Sequence, residues 1–466
     1  MPSQAGEPAT PQAASPRPPA DLLIVVLSNA LVLLVYVWLI SVGTWQHWPG
    51  RWHVYDDLAN AFRQGQLSLA EQPDPALLAL PDPYDPAART GVPFPPDLSL
   101  FHGRFYVYFG PLPAMLLLPV KAVIPGPIGD QYLVFAFVAG LLLVESWLLA
   151  ALRRGYFAGS SPWLLAPAIL TIGLVNPWPW ILSTPSVYNA AITGGAFFFL
   201  AGLGLALRAT GEAGPRPPHL ALAGLLWAAA IAARITFLVP VALVGVLVVL
   251  WLLSDGRRAG EMRRRLPSVL SLLLPLCLGG LALAWYNWAR FGSPLETGLK
   301  YQLAGVSYRE HGGQIFSPLY IVQNIYNYSL NPFVTRYPFP YLNPARGLGR
   351  TVLAGVPLPS IYYAQEMSGL LYTAPFAALA LVPVAGILRG RRQPASPHRP
   401  VLALLAWLVS SGGLLLSYFW AAERFVAEFM PPLLLLSVIG FFQLERALRG
   451  RLRLLPILRL LLAAAA

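Results

Sequence analysis

The sequence has little charge. Only 11% of its 466 residues are Asp, Glu, Lys or Arg, whereas 56% are hydrophobic, and a soluble domain usually carries about a quarter charged residues. This composition excludes an ordinary soluble domain. Apolar runs of about 20 residues, long enough to span the hydrocarbon core of a bilayer, recur along the chain. The sequence is therefore that of a multi-pass membrane protein.

Cysteine is almost absent. Cys277 is the only one and lies in an apolar run, which excludes a disulfide framework and a thiolate metal cluster. Zinc-ligand spacings, a P-loop and a Gly-rich nucleotide fingerprint are also missing, which argues against a nucleotide-sugar donor at a cytoplasmic site. We expect no cofactor, and a requirement for a divalent metal stays open. The net charge of +12 comes mostly from arginines flanking apolar runs, so it indicates membrane topology and not nucleic-acid binding.

The apolar runs predict an all-α polytopic protein with about ten transmembrane helices. Residues 1–20 are rich in Pro and Ala and are expected to be a disordered tail. Residues 21–444 form the transmembrane domain, and 445–466 form a basic tail whose apolar end leaves one further segment open. The ten predicted spans are 21–43, 130–152, 162–182, 186–207, 219–235, 237–253, 266–288, 367–388, 400–420 and 425–444.

The arginines also predict the sidedness. With a cytoplasmic N-terminus, the Arg-rich stretches 153–154, 256–265 and 389–399 all fall inside, and the short outer turns hold only Arg234 and Arg424. This distribution follows the positive-inside rule. Two long segments, 44–129 and 289–366, then lie on the extracytoplasmic side of the plasma or inner membrane. We expect them to carry juxtamembrane helices and to pack on each other.

The first outer segment begins with an acidic pair, Asp56 and Asp57, at the start of a short helical pattern, where an Asp often serves as a helix cap. Residues 98–109, around His102-Gly103, predict a tight β-hairpin, and the apolar stretch 110–126 predicts an interfacial or shallow re-entrant helix. Four further acids stand beside prolines and are expected to serve turns; they are Asp74, Asp82, Asp85 and Asp97.

This organisation resembles the GT-C superfamily, membrane glycosyltransferases that use polyprenyl-phosphate-linked sugars, including protein mannosyltransferases and aminoarabinose transferases. Family members carry an acidic pair near the start of the first outer loop, usually Asp-Glu where this chain has Asp-Asp. The stretches at 286–305 and 424–436 resemble those of uncharacterised bacterial proteins of this type. The resemblance rests on "YDDLANAFRQGQLSL" at 55–69, "GRFYVYFGPLPAMLLLP" at 103–119, "YNWARFGSPLETGLKYQLAG" at 286–305 and "RFVAEFMPPLLLL" at 424–436.

The resemblance implies transfer of a sugar from a polyprenyl-phosphate donor to a glycan, lipid or protein acceptor at the extracytoplasmic face. It makes Asp56 the expected general base and Asp57 its support or a helix cap. It assigns Arg234 to the donor phosphate, although an interfacial arginine is an equal alternative from the residues alone. Arg424 is a further candidate, with an ion pair to Glu428 as the simpler account. The remaining candidates for substrate binding are Arg104, Lys300 and Tyr301.

Two other classes of protein remain open at this stage. A secondary transporter would show repeated halves and broken helices that meet at mid-membrane, and no internal repeat is visible here. A non-catalytic partner in lipid or polysaccharide assembly would share the membrane organisation without needing the acids. Assaying acid variants for both solute uptake and glycan transfer separates these classes.

Overall fold

The computed structural model describes residues 20–50, 52–211, 215–254, 259–335, 337, 342–349, 355, 357–390 and 397–449. The expected N-terminal tail and most of the basic C-terminal tail lie outside these residues. In the described part of the chain, seventeen α-helices follow one another: α1 (Ala20–Ile40), α2 (Val54–Arg63), α3 (Pro75–Leu78), α4 (Leu112–Val123), α5 (Asp130–Tyr156), α6 (Leu165–Leu174), α7 (Trp178–Ser183), α8 (Val187–Ala209), α9 (Pro217–Ala233), α10 (Leu238–Ser254), α11 (Ala259–Phe291), α12 (Tyr308–His311), α13 (Ile321–Leu330), α14 (Leu370–Thr373), α15 (Leu381–Leu388), α16 (His398–Leu416) and α17 (Met430–Leu448).

The protein is a polytopic helical membrane protein, as the sequence predicts. Among the described residues, seven helices are long and apolar enough to cross a bilayer: α1, α5, α8, α10, α11, α16 and α17. The predicted span 162–182 divides into α6 and α7 at a proline-containing break, and 367–388 divides into α14, a 3₁₀ helix and α15. The predicted span 219–235 becomes α9, with 17 residues, or about 26 Å. The predicted count of ten spans is therefore not confirmed.

Small residues allow the central helices to pack closely, as is usual in membrane bundles. Helix α8 packs against α5 and α9, and α9 packs against α11. A Cβ atom added at Gly224 in α9 would lie 2.1 Å from the carbonyl oxygen of Leu272. At Gly110, just before α4, a Cβ atom would lie 2.0 Å from the carbonyl oxygen of Ala232. This second contact seats the first outer segment against the end of α9, directly before Arg234.

The strands lie in the two outer segments and before α17. The predicted hairpin is present, with β1 (Ser99–Phe101) antiparallel to β2 (Arg104–Tyr106). His102 and Gly103 have φ values of 48° and 69°, as a tight two-residue hairpin turn requires. The second segment adds an antiparallel sheet of β3 (Phe333–Thr335), β4 (Leu342–Arg346) and β6 (Glu366–Met367), and β5 (Tyr363–Ala364) runs parallel to β7 (Trp420–Ala421).

The two outer segments contact each other through their backbones. The Asp97 amide donates to the Leu303 carbonyl at 3.1 Å, and the Leu303 amide donates to the Leu98 carbonyl at 2.9 Å. Ser99 and Gln302 form an isolated antiparallel bridge. These contacts bring Asp97 beside Gln302, while the pairing of β5 with β7 brings residues around 365 beside those that precede α17.

Candidate functional site

A cavity of about 270 Å³ lies where the two outer segments meet the ends of α8, α9 and the stretch before α17. The first outer segment contributes an acid and a tyrosine, the turn after α9 contributes one arginine, and the stretch before α17 contributes a second. The lining residues are Asp97, Tyr108, Tyr188, Arg234, Gln302, Ala304, Gly305, Tyr308, Gln365, Tyr418, Trp420, Arg424 and Phe425. We call this the central cavity.

The charge of Arg234 is balanced inside the protein. Its Nε donates to Glu428 Oε1 at 3.0 Å, and the Glu428 side chain is only 1% exposed. Thr236 Oγ1 donates to the other oxygen of the same carboxylate at 2.8 Å. A buried carboxylate with both oxygens engaged holds the guanidinium at the cavity wall.

Arg424 lines the same cavity without a compensating acid. Its Nη1 donates to Gln365 Oε1 at 2.8 Å, and its guanidinium lies 4.8 Å from the ring centre of Tyr188. No carboxylate pairs with it in the described part of the chain. Burial lowers the pKa of Arg424, which is the effect expected of a cation partly removed from water.

The alternative of an Arg424–Glu428 ion pair is wrong. Residues Glu423–Glu428 form a 3₁₀ helix, in which positions i and i+4 do not share a face. Glu428 therefore points to Arg234 and leaves Arg424 directed into the cavity.

Asp97 differs from the other three proline-flanked acids. Asp74, Asp82 and Asp85 each accept a hydrogen bond from the backbone amide two residues later, at 2.7 to 2.9 Å, as expected of turn residues. The Asp97 carboxylate instead accepts from the hydroxyl of Tyr188 and, at 3.1 Å, from Gln302 Nε2. The residue has a φ of 64°, a left-handed conformation that is uncommon for a non-glycine residue and often marks functional sites.

The central cavity exposes polar atoms without partners. Gln302 Oε1, Trp420 Nε1 and Arg424 Nε have no hydrogen-bond partner among the described residues, although buried polar atoms are normally paired. Burial raises the pKa of Tyr308 and Tyr418, so both phenols stay neutral and offer hydroxyl donors. A polar, anionic ligand would satisfy this set of groups.

Two further cavities adjoin the central one. A small cavity of about 80 Å³ shares Tyr108 and Arg234 with it and extends between α9 and α11, where Ile231 and Leu283 are among its walls. Another, of about 480 Å³, shares Asp97 and Trp420 with it and extends outward past Arg89 and Phe94. We call them the membrane-side and outer cavities. Arg234 therefore lies where the central cavity meets the membrane-side cavity, and Asp97 lies where it meets the outer cavity.

The acidic pair lies away from these cavities. Asp56 is buried and its Oδ1 lies 2.8 Å from Lys121 Nζ, a pair whose side chains are 4% and 2% exposed. Asn60 also donates to Asp56, at 3.1 Å, and the ion pair ties α2 to α4. Asp57 is on the exposed side of α2, and partial burial and the neighbouring Asp56 raise its pKa. No side chain caps α2, whose N-cap residue is His53.

The weaker candidates also lie outside the central cavity. Arg104 is exposed on β2. Lys300 pairs with Glu296 at 2.9 Å and is 49% exposed. Tyr301 packs on Phe291 with ring centres 5.7 Å apart. Of the residues singled out from the sequence, the structure brings Arg234 and Arg424 together at one cavity.

Several lining residues have no signal of their own in the sequence. Tyr188 and Gln302 reach Asp97 from 91 and 205 residues away. A local cue existed only for Asp97, since a fourth Pro-flanked Asp in the same loop draws attention, yet the pattern equally fits a turn. No group of three or more His, Cys, Asp or Glu side chains suited to a metal occurs within the described ranges.

No family model and no curated protein sequence matches the chain. Among solved structures, the Archaeoglobus fulgidus oligosaccharyltransferase in its apo form is similar with a TM-score of 0.50 and 14% identity, over 96% of this chain and 54% of that one. ArnT from Cupriavidus metallidurans, bound to undecaprenyl phosphate, has a TM-score of 0.46 and 14% identity, over 93% of this chain and 65% of that one. The chain covers less than two thirds of either protein. At this identity the likeness concerns the fold alone, which the chain shares with the oligosaccharyltransferase, as the resemblance to the GT-C superfamily leads one to expect.

Proposed function

We propose that the protein is a glycosyltransferase that moves a sugar from a polyprenyl-phosphate donor to an acceptor hydroxyl or amide at the extracytoplasmic membrane face. The observation that carries the proposal is the order of the three cavities. A cationic central cavity has a lipid-directed opening marked by Arg234 and an outward opening marked by Asp97.

The donor is assigned to the membrane side. A polyprenyl chain must stay in lipid while its phosphate reaches polar groups, and the apolar walls between α9 and α11 lead directly to Arg234. Arg424 offers a guanidinium that pairs with no carboxylate among the described residues. Charge-assisted hydrogen bonds from two guanidiniums would hold the phosphate and stabilise it as the leaving group.

The general base is assigned to Asp97 and not to Asp56. The resemblance to the GT-C superfamily favours Asp56, but its carboxylate pairs with Lys121 at 2.8 Å and lines none of the three cavities described here. Asp97 lines both the central and the outer cavity. In the proposed step the acceptor oxygen bonds to the anomeric carbon as its proton passes to Asp97, and the bond from that carbon to the phosphate oxygen breaks. Polyprenyl phosphate leaves with the bonding electrons.

The acceptor is assigned to the outer cavity, where the Trp420 ring and its unpaired Nε1 could contact a sugar or an amide. The chemical class of the acceptor, the sugar transferred and the extracytoplasmic location of the site all belong to this proposal. The transporter and assembly-partner alternatives predict no bond cleavage at this site.

The test is turnover by purified protein in lipid nanodiscs, offered a panel of polyprenyl-phosphate sugars and scored for release of polyprenyl phosphate. Asp97→Asn should lower the rate about 10²–10⁴-fold, the usual contribution of a general base, with little change in folding. Asp85→Asn, in the same loop but bonded only to its own turn, is the matched control and should retain the rate.

Asp56→Asn distinguishes the two candidate bases. Breaking its buried ion pair should lower thermal stability, because Lys121 is left uncompensated, and the folded fraction should keep its turnover. Normal stability with abolished turnover would return the role of base to Asp56. Release that survives both substitutions would contradict general-base catalysis by a carboxylate of this loop.

A further inference from the structure

A second large cavity lies at the opposite end of the helical bundle. Its volume is about 1070 Å³, and it opens between the ends of α5, α8, α11 and α16. Helix α8 connects the two cavities, since Tyr188 near its start lines the central cavity and Arg208 near its end lines this one, about 30 Å further along the helix. It is therefore a different site from the proposed glycosyl-transfer site.

The lining of this cavity is strongly basic. It contains four arginines and one histidine and no Asp or Glu among the described residues: Arg154, Arg208, Arg265, Arg399 and His398. Two acids near it in the described part of the chain already have partners. Asp21 accepts two hydrogen bonds from Arg153 at 2.7 and 2.8 Å and lies 3.6 Å from Arg154, and Glu445 pairs with Arg449 at 2.8 Å. Asp21 therefore partly compensates Arg154, while no ion pair is found for Arg208 or Arg265 among the described side chains.

Individual side chains at the cavity lack partners. No ion pair or hydrogen bond holds the guanidiniums of Arg208 and Arg265 within the described residues, and His398 Nε2 is a buried atom without a partner. The deeper wall is apolar, formed by Trp147, Leu148 and Leu252 among others. The ligand that fits has an anionic head and an apolar body.

We propose that this cavity binds an anionic phospholipid, with its phosphate at Arg208 and Arg265 and its acyl chains along the apolar wall. Basic pockets between transmembrane helices are suited to such headgroups because the bilayer supplies the lipid at high local concentration. A free soluble phosphate would satisfy the arginines but would leave the apolar wall uncovered. The membrane lipid is therefore the occupant that the lining favours, and the proposal does not depend on the transferase activity.

The test uses purified full-length protein in an uncharged detergent, titrated with dioleoyl phosphatidylglycerol or, as the neutral comparison, dioleoyl phosphatidylcholine. Bound lipid is counted by native mass spectrometry. Wild type should retain phosphatidylglycerol preferentially, and Arg208→Gln/Arg265→Gln should weaken retention roughly 25-fold, about fivefold for each arginine. Arg208→Lys/Arg265→Lys keeps both charges and should keep most of the binding, which separates loss of the site from loss of folding.

The matched control is Arg216→Gln/Arg389→Gln, which removes two exposed arginines that do not line the cavity. An equal loss of lipid in this control would overturn the proposal in favour of unspecific charge attraction. So would equal retention of the two lipids by wild type. Displacement of phosphatidylglycerol by millimolar inorganic phosphate would instead identify a soluble anion as the ligand and refute the lipid.

Discussion

Arg234 and Arg424 line one cavity, but only the loss of the Arg234 charge should lower the stability of the fold. Replacing Arg234 with Gln removes the partner of Glu428, a carboxylate whose side chain is 1% exposed. An uncompensated buried charge of this kind costs about 3–5 kcal/mol. Arg424 pairs with no carboxylate among the described residues, so its loss leaves no buried charge uncompensated. A glutamine at this position retains a hydrogen-bond donor for Gln365. Arg424→Gln should therefore leave the free energy of unfolding unchanged or raise it.

The effect on ligand binding should have the same sign for both arginines. Loss of one charge-assisted hydrogen bond costs about 1.5–3 kcal/mol, which corresponds to a Kd about 10- to 150-fold weaker for a polyprenyl phosphate. Arg424→Gln is thus expected to weaken binding without weakening the fold. A residue that stabilises only the liganded state behaves in this way, and stabilising substitutions at functional sites often lower activity for this reason.

The assay needs no knowledge of the sugar. Undecaprenyl phosphate is titrated into purified protein, and the Tm is followed by scanning fluorimetry with and without the lipid. The ligand-dependent rise in Tm should shrink in both variants, whereas the ligand-free Tm should fall only in Arg234→Gln. Arg104→Gln, an exposed arginine on the hairpin, is the control and should change neither quantity.

The reasoning fails if Arg424→Gln lowers the ligand-free Tm as strongly as Arg234→Gln does while leaving the lipid-induced shift intact. Arg424 would then stabilise the fold through its contacts with Gln365 and Tyr188. The phosphate would have to be bound elsewhere, and the assignment of the central cavity to the donor would fall with it.

Three further predictions follow from single features of the structure. With the exposed Cys277 replaced by Ala, cysteines introduced at the exposed positions Thr90 and Glu310 should react with an impermeant maleimide in intact cells; labelling only after lysis would reverse the sidedness. Burial raises the pKa of Glu423 to about 7 from 4.5, so ionisation costs stability in the folded state. Tm should therefore fall as the pH rises from about 4.5 to about 7, and Glu423→Gln should make Tm less dependent on pH over this range. Glu428→Gln frees a guanidinium and should tighten binding of undecaprenyl phosphate; weaker binding, in the fraction that remains folded, would contradict the assigned role.

The sequence predicts the helices well and the site only in part. The long apolar runs and the His102-Gly103 turn are local signals, and both produce the expected elements. Arg234 and Arg424 are also visible, because a charge beside an apolar run is conspicuous in this composition. The predicted span at 162–182 is two helices and not one, because hydropathy counts apolar residues across Pro177, whose missing N–H interrupts the helical hydrogen-bond ladder.

The base could not be identified in the same way. Asp97 and Asp85 have similar neighbours in the sequence, and only the contacts from Tyr188 and Gln302 separate them. The face of α2 that carries Asp56 is likewise decided by Lys121, 65 residues further along the chain. Long-range pairing therefore selects among acids that local patterns cannot distinguish. At this step the family motif favours Asp56, whereas the geometry favours Asp97.

The charges of the central cavity match the proposed chemistry at each stage. A sugar linked through a polyprenyl phosphodiester carries one negative charge, and Arg424 supplies one uncompensated positive charge. Transfer converts the diester to a monoester, whose charge at neutral pH approaches two, so additional negative charge develops as the bond breaks. Arg234 can stabilise this developing charge only by sharing its guanidinium between the phosphate and Glu428. The Arg234–Glu428 pair would thus strengthen its contact with the phosphate in the transition state more than in the bound donor, and this difference is what lowers a barrier. The same competition from Glu428 limits how tightly the product is held, so that polyprenyl phosphate can return to the membrane through the opening by which the donor entered.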